Sequence, residues 1–287
     1  MGLDAPIVNA PMGSAAGGRL AAAVSRAGGL GMVGMGSSAT DALLRDELRH
    51  IRDLGLPFGI GLVHWVMTAQ PALLDTALAA GPALLSVSFG QDWSWIDRAR
   101  AAGVRTVTQV ADLTTARRAV EAGVDVLVAR GAEGGGHGEP RIGTLALLAD
   151  VLDAVAVPVL AAGGIASSRG LAAVLAAGAS GAWIGTAFAA CPEAITAPDA
   201  RSALLAAAGS RTTLTREFDD AQGYPWPEAL PERVLTDDAG AATPVNAGQG
   251  VGMVTVAEPV DALITRLCAG AQDLLRRWAG SSAGGGG

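Results

Sequence analysis

Three features of the sequence predict an α/β fold, a (β/α)8 TIM barrel. Eight short apolar runs alternate with helical segments rich in Ala, Leu and Arg before about residue 190. The runs are apolar throughout, which is typical of parallel strands covered by helices. Many helical segments end at a glycine in the position that closes a helix in left-handed conformation: Gly28, Gly55, Gly81, Gly103, Gly123 and Gly178. Eight units favour a closed barrel over an open doubly wound sheet, which is the structural alternative.

The elements follow in chain order. The predicted strands are Ile7–Ala10, Gly31–Gly34, Phe58–Val63, Leu84–Phe89, Thr106–Val110, Val124–Ala129, Val157–Ala161 and Gly181–Ile184. The predicted helices are Leu20–Ala27, Ala39–Leu54, Pro71–Ala79, Trp95–Ala102, Leu113–Ala122, Thr144–Ala154 and Arg169–Ala177.

The C-terminal third of the sequence breaks this rhythm. Residues 195–245 carry Tyr224-Pro225-Trp226-Pro227 and several acidic residues, so we expect an irregular insertion that packs over the barrel as a small extension. Val260–Ala279 predicts a closing amphipathic helix. Residues 1–280 are therefore predicted to form a single domain, followed by a disordered Gly/Ser tail at 281–287.

Composition excludes several classes of protein. No stretch of about 18 apolar residues lacks Gly, Pro or a charge, and the N-terminal residues lack the pattern of a secretory signal. A net charge of −7 disfavours nucleic acid and anionic membranes as partners. All 20 basic residues are Arg, which excludes lysine Schiff bases and lysine-dependent phosphate loops. The two cysteines favour a reducing, cytoplasmic location over a disulfide framework.

One glycine-rich run stands out after the sixth predicted strand. Residues 131–138 contain five glycines around a single histidine, His137. Glycines fill no core volume, but they let the backbone approach a flat or anionic ligand. A histidine in such a loop exchanges protons near neutral pH, so His137 is the candidate catalytic residue.

Two further strand ends carry the pattern of a phosphate site. Gly163-Gly164 follows the seventh predicted strand, and Gly185-Thr186 follows the eighth. In barrels these two loops commonly bind phosphate, here through backbone N–H groups and the Thr186 hydroxyl. Each pair alone is more often a plain turn, but together they indicate a bound phosphate.

Other candidate side chains are weaker. His64 follows the third strand and is a candidate substrate contact, whereas His50 lies in a charged helix and is expected at the surface. Glu133 is equally consistent with a site carboxylate and with a structural salt bridge, and Tyr224 is expected to have a packing role. Cys191 lacks a base partner, which disfavours a role as nucleophile. The sequence contains no pair of His or Cys residues with the spacing of a metal site. Three tryptophans are candidates for the wall of an apolar cavity: Trp65, Trp93 and Trp95.

Together these motifs resemble the nitronate monooxygenase family, formerly called 2-nitropropane dioxygenases, which are FMN-dependent TIM-barrel enzymes. The resemblance covers roughly residues 5 to 275. The motifs that carry it are Ala10-Pro11-Met12-Gly13, Gly131 to Gly138, Pro158 to Ile165, Gly178-Ala179, Gly185-Thr186-Ala187-Phe188 and Ala247-Gly248-Gln249-Gly250.

The resemblance implies a role for each matching residue. His137 corresponds to the catalytic histidine, and Gln249 falls in a motif that lines the substrate side. The implied FMN contacts are Pro11, Met12 and Gly13 along the ring, Gln109 and Gly135 beside it, and Gly163, Gly164, Gly185 and Thr186 at the phosphate. Two departures concern the substrate: Arg130 stands where relatives often carry Gln, and the usual polar residue of the third strand is replaced within residues 61–64.

The implied reaction is FMN-dependent oxidation of alkyl nitronates, or of nitroalkanes deprotonated first, by O₂ to a carbonyl compound and nitrite. His137 would act as the base for nitroalkanes and as the anchor for the nitronate. One alternative is an FMN-dependent NAD(P)H reductase of the same superfamily, acting on enoyl-acyl-carrier-protein or quinone. Another is a phosphate-binding barrel without flavin, such as an isomerase or synthase. The physiological substrate, the use of NAD(P)H and the oligomeric state stay open, with a homodimer as a candidate.

Overall fold

Eight parallel strands form a barrel in the computed structural model, which describes residues 2–282. The barrel strands are β1 (Ile7–Asn9), β2 (Gly31–Met35), β3 (Phe58–Val63), β4 (Leu84–Ser88), β5 (Arg105–Val110), β6 (Val126–Arg130), β8 (Val159–Ala162) and β9 (Gly181–Ile184), and β7 (Gly136–His137) belongs to a second sheet. From β2 to β9 each barrel strand pairs with the next barrel strand in the chain, and β9 returns to pair with β1. The predicted (β/α)8 barrel is confirmed.

The seam between β1 and β2 closes the barrel through a side chain. A single parallel bridge joins Val8 to Leu30. Beyond it, the fully buried Asn9 amide accepts from the Met32 N–H at 2.8 Å and donates to the Met32 carbonyl at 2.9 Å. Asn9 thus replaces the ladder hydrogen bonds that a longer β1 would make.

Helices cover the outside of the barrel. They are α1 (Gly18–Arg26), α2 (Asp41–Leu48), α3 (His64–Ala69), α4 (Pro71–Ala79), α5 (Trp95–Ala101), α6 (Leu113–Glu121), α7 (Thr144–Ala154), α8 (Ser168–Ala176), α9 (Thr186–Ala189), α10 (Pro198–Ala206), α11 (Glu217–Gln222) and α12 (Val260–Ser282). The helix α12 packs against α8 and α1 and so completes the ring between the last and first units. All six predicted terminator glycines have positive φ, from +63° to +103°, as the left-handed helix ending requires.

Two helices in the first half of the barrel differ most from the prediction. The helix α2 ends at Leu48 rather than Leu54, because residues 49–54 continue in tight turns with bonds from residue i to i−3. The short helix α3 was not predicted, because its six residues are too few for a periodic pattern.

The insertion is ordered rather than irregular. It forms an antiparallel sheet of β10 (Thr212–Thr215), β11 (Glu232–Thr236) and β12 (Ala242–Asn246), followed by a 3-10 turn at Gln249–Met253. The fourth strand of this sheet is β7, which comes from the glycine-rich run. The insertion therefore shares hydrogen bonds with a loop of the barrel, instead of only lying over it.

The barrel interior is filled by side chains. A separate cluster of ten buried residues occupies it: Val8, Leu30, Met32, Leu84, Val107, Val126, Val128, Leu160, Ala162 and Trp183. The larger core lies between strands and helices. Over residues 2–282, no helix has the length and apolarity to cross a bilayer. The predicted tail lies outside the described residues from 283 onward, and α12 continues through Ser282.

Candidate active site

A cavity of about 610 Å³ opens where the barrel strands end and the insertion covers them. This volume suits a cofactor together with a small substrate. His137 and all nine predicted cofactor residues line the cavity: Pro11, Met12, Gly13, Gln109, Gly135, Gly163, Gly164, Gly185 and Thr186. The structure therefore brings together residues that are more than 170 positions apart in the chain, as parallel strands of a barrel must.

The end of the first strand sits deep in this cavity because two neighbouring strands carry glycine. A Cβ at Gly34 would overlap the Pro11 backbone, and a Cβ at Gly61 would overlap the Pro11 ring. These glycines of β2 and β3 thus leave space for Pro11 between them.

The glycine-rich run is held in shape by Arg130. The Arg130 guanidinium is buried and donates to the carbonyls of Gly134, Gly135 and Gly136 at 2.9 to 3.1 Å. Burial, with a smaller contribution from Arg233, lowers the pKa of Arg130 to about 10. The residue that departs from the family pattern therefore organises the backbone around His137.

Glu133 fixes the other end of this run. Its carboxylate accepts from the Thr144 N–H at 2.9 Å and from the Thr144 hydroxyl at 2.7 Å, at the first turn of α7. Its carbonyl accepts from the Gln249 N–H at 2.9 Å. The structure therefore supports a structural role for Glu133. Its carboxylate caps the start of α7 instead of forming a salt bridge.

His137 is paired with a carboxylate that comes from the insertion. Its Nε2 lies 2.7 Å from Oδ2 of Asp219, and the Asp219 side chain is buried. Burial lowers the pKa of His137, and the hydrogen bond to Asp219 partly opposes this effect. A carboxylate at this distance accepts a hydrogen bond from the Nε2–H group, so neutral imidazole keeps its lone pair on Nδ1.

An aromatic wall surrounds His137. The indole of Trp226 stacks on the imidazole with centroids 3.6 Å apart and planes within 5°. Phe89 approaches both rings, with centroids 5.1 Å from Trp226 and 6.4 Å from His137. Phe89 has φ +71°, the one positive φ among the non-glycine residues of the described chain, and such strain is typical of functional sites. Tyr224 also lines the cavity.

The loops after β8 and β9 form a cradle of backbone donors. Gly163 and Gly164 have φ +115° and +68°, and the N–H groups of Gly164 and Ile165 reach no protein acceptor within residues 2–282. Gly185 and Thr186 begin α9, whose first amides have no intrahelical partner. The Thr186 hydroxyl accepts from the Gly248 N–H at 3.0 Å, which leaves its own proton free to donate.

Another carboxyl group lies beside Asp219. Glu232 is directly opposite His137 in the pairing of β11 with β7, and it lines the cavity with only 5% of its surface exposed. Its Oε1 has no hydrogen-bond partner within the described chain. Burial, and then the charge of Asp219, raise the pKa of Glu232 to about 7.

Several candidates lie away from the cavity. His64 begins α3, and its ring packs against Gly90. Gln249 is exposed between two glycines that do line the cavity.

The tryptophan and cysteine candidates lie outside the cavity as well. Trp95 is buried in the core, and Trp65 lies behind the aromatic wall, 6.0 Å from the Trp226 ring. Cys191 is buried, which raises the pKa of its thiol to about 12. Among residues 2–282, no cluster of metal-binding side chains occurs.

Apart from Phe89 after β4, the site residues that sequence reasoning missed come from the insertion. Asp219, Trp226 and Glu232 lie in a segment without strong periodicity. The Tyr-Pro-Trp-Pro segment was the available signal, because two aromatic rings that alternate with prolines in a polar segment need a partner to cover them.

Comparison with known proteins identifies relatives of this chain. The family model described as nitronate monooxygenase matches residues 1–77 and 64–225. A nitronate monooxygenase of Paraburkholderia phytofirmans is 35% identical, over 75% of this chain and 71% of that protein. A (3aS,4S,5R,7aS)-5-hydroxy-7a-methyl-1-oxo-octahydro-1H-indene-4-carboxyl-CoA dehydrogenase of Rhodococcus jostii is 33% identical, over 83% of this chain and 64% of that protein.

Solved structures extend the comparison. FabK from Thermotoga maritima superposes with a TM-score of 0.86 and 26% identity, covering 97% of this chain and 96% of that one. A nitroalkane oxidase from Streptomyces ansochromogenes superposes with a TM-score of 0.82 and 31% identity, covering 96% and 98%. The fold, the site and these relatives define a barrel oxidoreductase. Within that class, the chain belongs to the nitronate monooxygenase family.

Proposed function

We propose that this protein binds FMN in the cavity and oxidises alkyl nitronates with O₂ to a carbonyl compound and nitrite. One observation carries the proposal. His137 is hydrogen-bonded to Asp219 and stacked on Trp226, and it lines the same cavity as the glycine cradle. The cavity is the natural place for substrate and cofactor to meet.

The cradle fits the phosphate of FMN. The free amides of Gly164 and Ile165, the start of α9 and the Thr186 hydroxyl are donors that suit an anion without lysine. A Cβ at Gly185 would project beside Met12 Sδ and Ala10 Cβ, both from cavity-lining residues, so glycine keeps this side of the cradle open. When bound, FMN supplies the electron transfer between substrate and O₂.

The ring of FMN would lie between the first strand end and the glycine-rich run. Pro11, Met12 and Gly13 approach from one side, and Gly135 offers backbone from the other. A Cβ at Gly135 would lie 2.5 Å from the Gly248 nitrogen, so this run fits only with glycine. Gln109 at the end of β5 supplies the polar side chain of this region.

His137 would handle the proton of the substrate. With Nε2 bonded to Asp219, Nδ1 of neutral His137 is the acceptor for the proton on the carbon next to a nitro group. Asp219 then stabilises the imidazolium, which in turn attracts the nitronate anion. The apolar faces of Phe89 and Trp226 would exclude water and hold a small alkyl chain.

The test combines a spectrum with turnover. We expect the purified protein to be yellow with a flavin spectrum, or to bind added FMN, and to release nitrite from ethyl or propyl nitronate. His137→Asn should keep the flavin and lose turnover of neutral nitroalkanes, while the exposed-site control His50→Asn should keep both. A colourless protein that binds no FMN would instead support a phosphate-binding barrel without flavin.

A second candidate is an FMN-dependent reductase of the same superfamily, acting on an enoyl thioester or a quinone. The similarity to a carboxyl-CoA dehydrogenase favours it, because that relative acts on a thioester by name. Rapid NAD(P)H oxidation with quinone or enoyl thioester, without turnover of nitronates, would decide for this candidate.

Three broader expectations accompany the proposal. Residues 1–280 would act as a single domain, because the insertion shares a sheet with the barrel loop and α12 packs on α1 and α8. Cys191 and Cys268 are unpaired, which supports the expected cytoplasmic location. A homodimer is the candidate oligomer, to be tested by light scattering.

A further inference from the structure

Glu232 is a buried carboxyl group that the proposed reaction does not use. It lies across the β7–β11 pair from His137, and directly opposed residues in an antiparallel pair project to the same face of a sheet. Asp219, bonded to His137, is the carboxylate whose charge acts on it. Three titratable side chains from β7, α11 and β11 therefore share one buried corner of the cavity.

No cation of the described residues pairs with Glu232. The Arg130 guanidinium donates to the glycine-rich run, and the Arg233 guanidinium donates to the Ala132 carbonyl. Arg216 donates to the carbonyls of Trp226 and Pro227. The neutral side chain of Asn246 on β12 hydrogen-bonds to Glu232, but it brings no charge.

Two carboxylates in one buried corner, without a cation, are unfavourable, and the site relieves this by keeping one of them protonated. Asp219 is bonded to the imidazole, so the proton falls to Glu232, whose Oε1 is buried and unpartnered. We propose that Glu232 is a positioning residue that admits an anionic substrate: its protonated carboxyl leaves the corner beside His137 with one negative charge instead of two. This inference rests on the proposed function, because a nitronate is an anion.

The direction of the pH effect follows from the raised pKa of Glu232, about 7 against an ordinary value of 4.5. The folded protein retains this proton between those two values, while the unfolded chain has already released it. Wild-type stability therefore falls as pH rises through this window and stays lower above it. Above about pH 7, the ionised carboxylate also repels the nitronate.

The first arm of the test measures stability and needs no substrate. Glu232→Gln keeps the shape of the side chain and cannot ionise, and Glu228→Gln is the matched control at an exposed position of the same segment. We expect the Tm of Glu232→Gln relative to wild type to increase by about 3 °C or more between pH 5 and pH 8. The difference for Glu228→Gln should stay constant. A difference for Glu232→Gln that is the same at both pH values would overturn the proposal.

The second arm measures the KM for ethyl nitronate at pH 6.5 and pH 8. In wild type we expect KM to rise at least about threefold through charge repulsion, and in Glu232→Gln to rise clearly less. Equal increases in both proteins would also overturn the proposal. If neither protein turns over any nitronate, the proposed function fails, while the stability arm still decides whether Glu232 holds the proton.

Discussion

The imidazole of His137 and the indole of Trp226 lie face to face, with centroids 3.6 Å apart and planes within 5°. The stack fixes the plane of the imidazole, and the bond from Nε2 to Asp219 fixes its rotation within that plane. Both partners come from the insertion, so the imidazole is oriented by residues outside the barrel. Such support from surrounding residues is what the proposed role of His137 in proton transfer requires.

Asp219→Asn should impair the base while leaving the protein folded. The amide would present its NH₂ group or its oxygen to Nε2, so His137 would lose the carboxylate that fixes its tautomer and stabilises its cation. We expect kcat for neutral nitroethane to fall by about 10² to 10⁴. Turnover of preformed ethyl nitronate should fall less, because it needs no deprotonation. Asp220→Asn, next in sequence but exposed and paired with Arg216, is the control.

Trp226 should contribute through its ring more than through its hydrogen bond. Trp226→Ala removes a buried ring and is expected to cost about 3–5 kcal/mol of unfolding free energy, with a large loss of kcat. Trp226→Phe keeps an aromatic face on His137 and loses the bond from Nε1 to the Ser37 hydroxyl, 3.0 Å long. Urea unfolding of both variants measures the difference. Ser37→Ala isolates the bond, and an equal loss of kcat in Phe and Ala variants would contradict a role for stacking.

Gly185→Ala should separate FMN binding from folding. The new methyl would meet only Met12 Sδ at 3.5 Å and Ala10 Cβ at 3.6 Å, which are ordinary contacts, so the apoprotein should lose no more than about 1 kcal/mol. The methyl would however crowd the phosphate cradle, and we expect the Kd for FMN to rise at least about tenfold. Gly170→Ala in α8 has similar contacts and serves as the control. Unchanged FMN affinity would remove Gly185 from the cradle.

Arg130→Gln tests the departure from the family pattern. The shorter amide cannot serve the three carbonyls of residues 134–136, so these buried acceptors lose their shared donor. We expect a loss of about 2–4 kcal/mol in urea unfolding and lower FMN occupancy. Arg118→Gln, at an exposed position, should change neither quantity. A stable, flavin-filled Arg130→Gln protein would show that the run keeps its shape without the guanidinium.

The lowered pKa of His137 predicts a loss of stability in acid. Below its ordinary value of 6.5, the unfolded chain binds the proton while the folded protein resists it, so stability falls as pH decreases through that window. His137→Asn should lack this contribution, and its Tm relative to wild type should rise from pH 7 to pH 5. His50→Asn, exposed on the surface, should show a pH-independent difference.

The barrel was predictable because its signals are local. Pro71–Ala79 and Thr144–Ala154 match the predicted helices to the residue, and the strands differ by no more than two residues at either end. Apolar runs and terminal glycines encode these elements within each unit. The cradle was predictable for the same reason, since Gly163-Gly164 and Gly185-Thr186 lie directly after their strands.

The support of His137 was not predictable, because it depends on pairing between distant segments. Asp219 lies 82 positions from His137, and β7 has only two residues, too few to show alternation. His64 illustrates the opposite case: its place after β3 suggested the cavity, but the chain turns directly into α3 and carries the ring toward Gly90. Position after a strand indicates the right end of the barrel, but not the direction of a side chain.

The pairing of β7 with β11 has a consequence for how this enzyme can diverge. His137 belongs to the same small sheet as Glu232, so neither the barrel loop nor the insertion can be replaced without the other. Chimeras with relatives should therefore retain activity only when residues 131–138 and 212–246 are exchanged together. New substrate preferences would then arise through paired changes in these two segments, while the rest of the barrel stays constant.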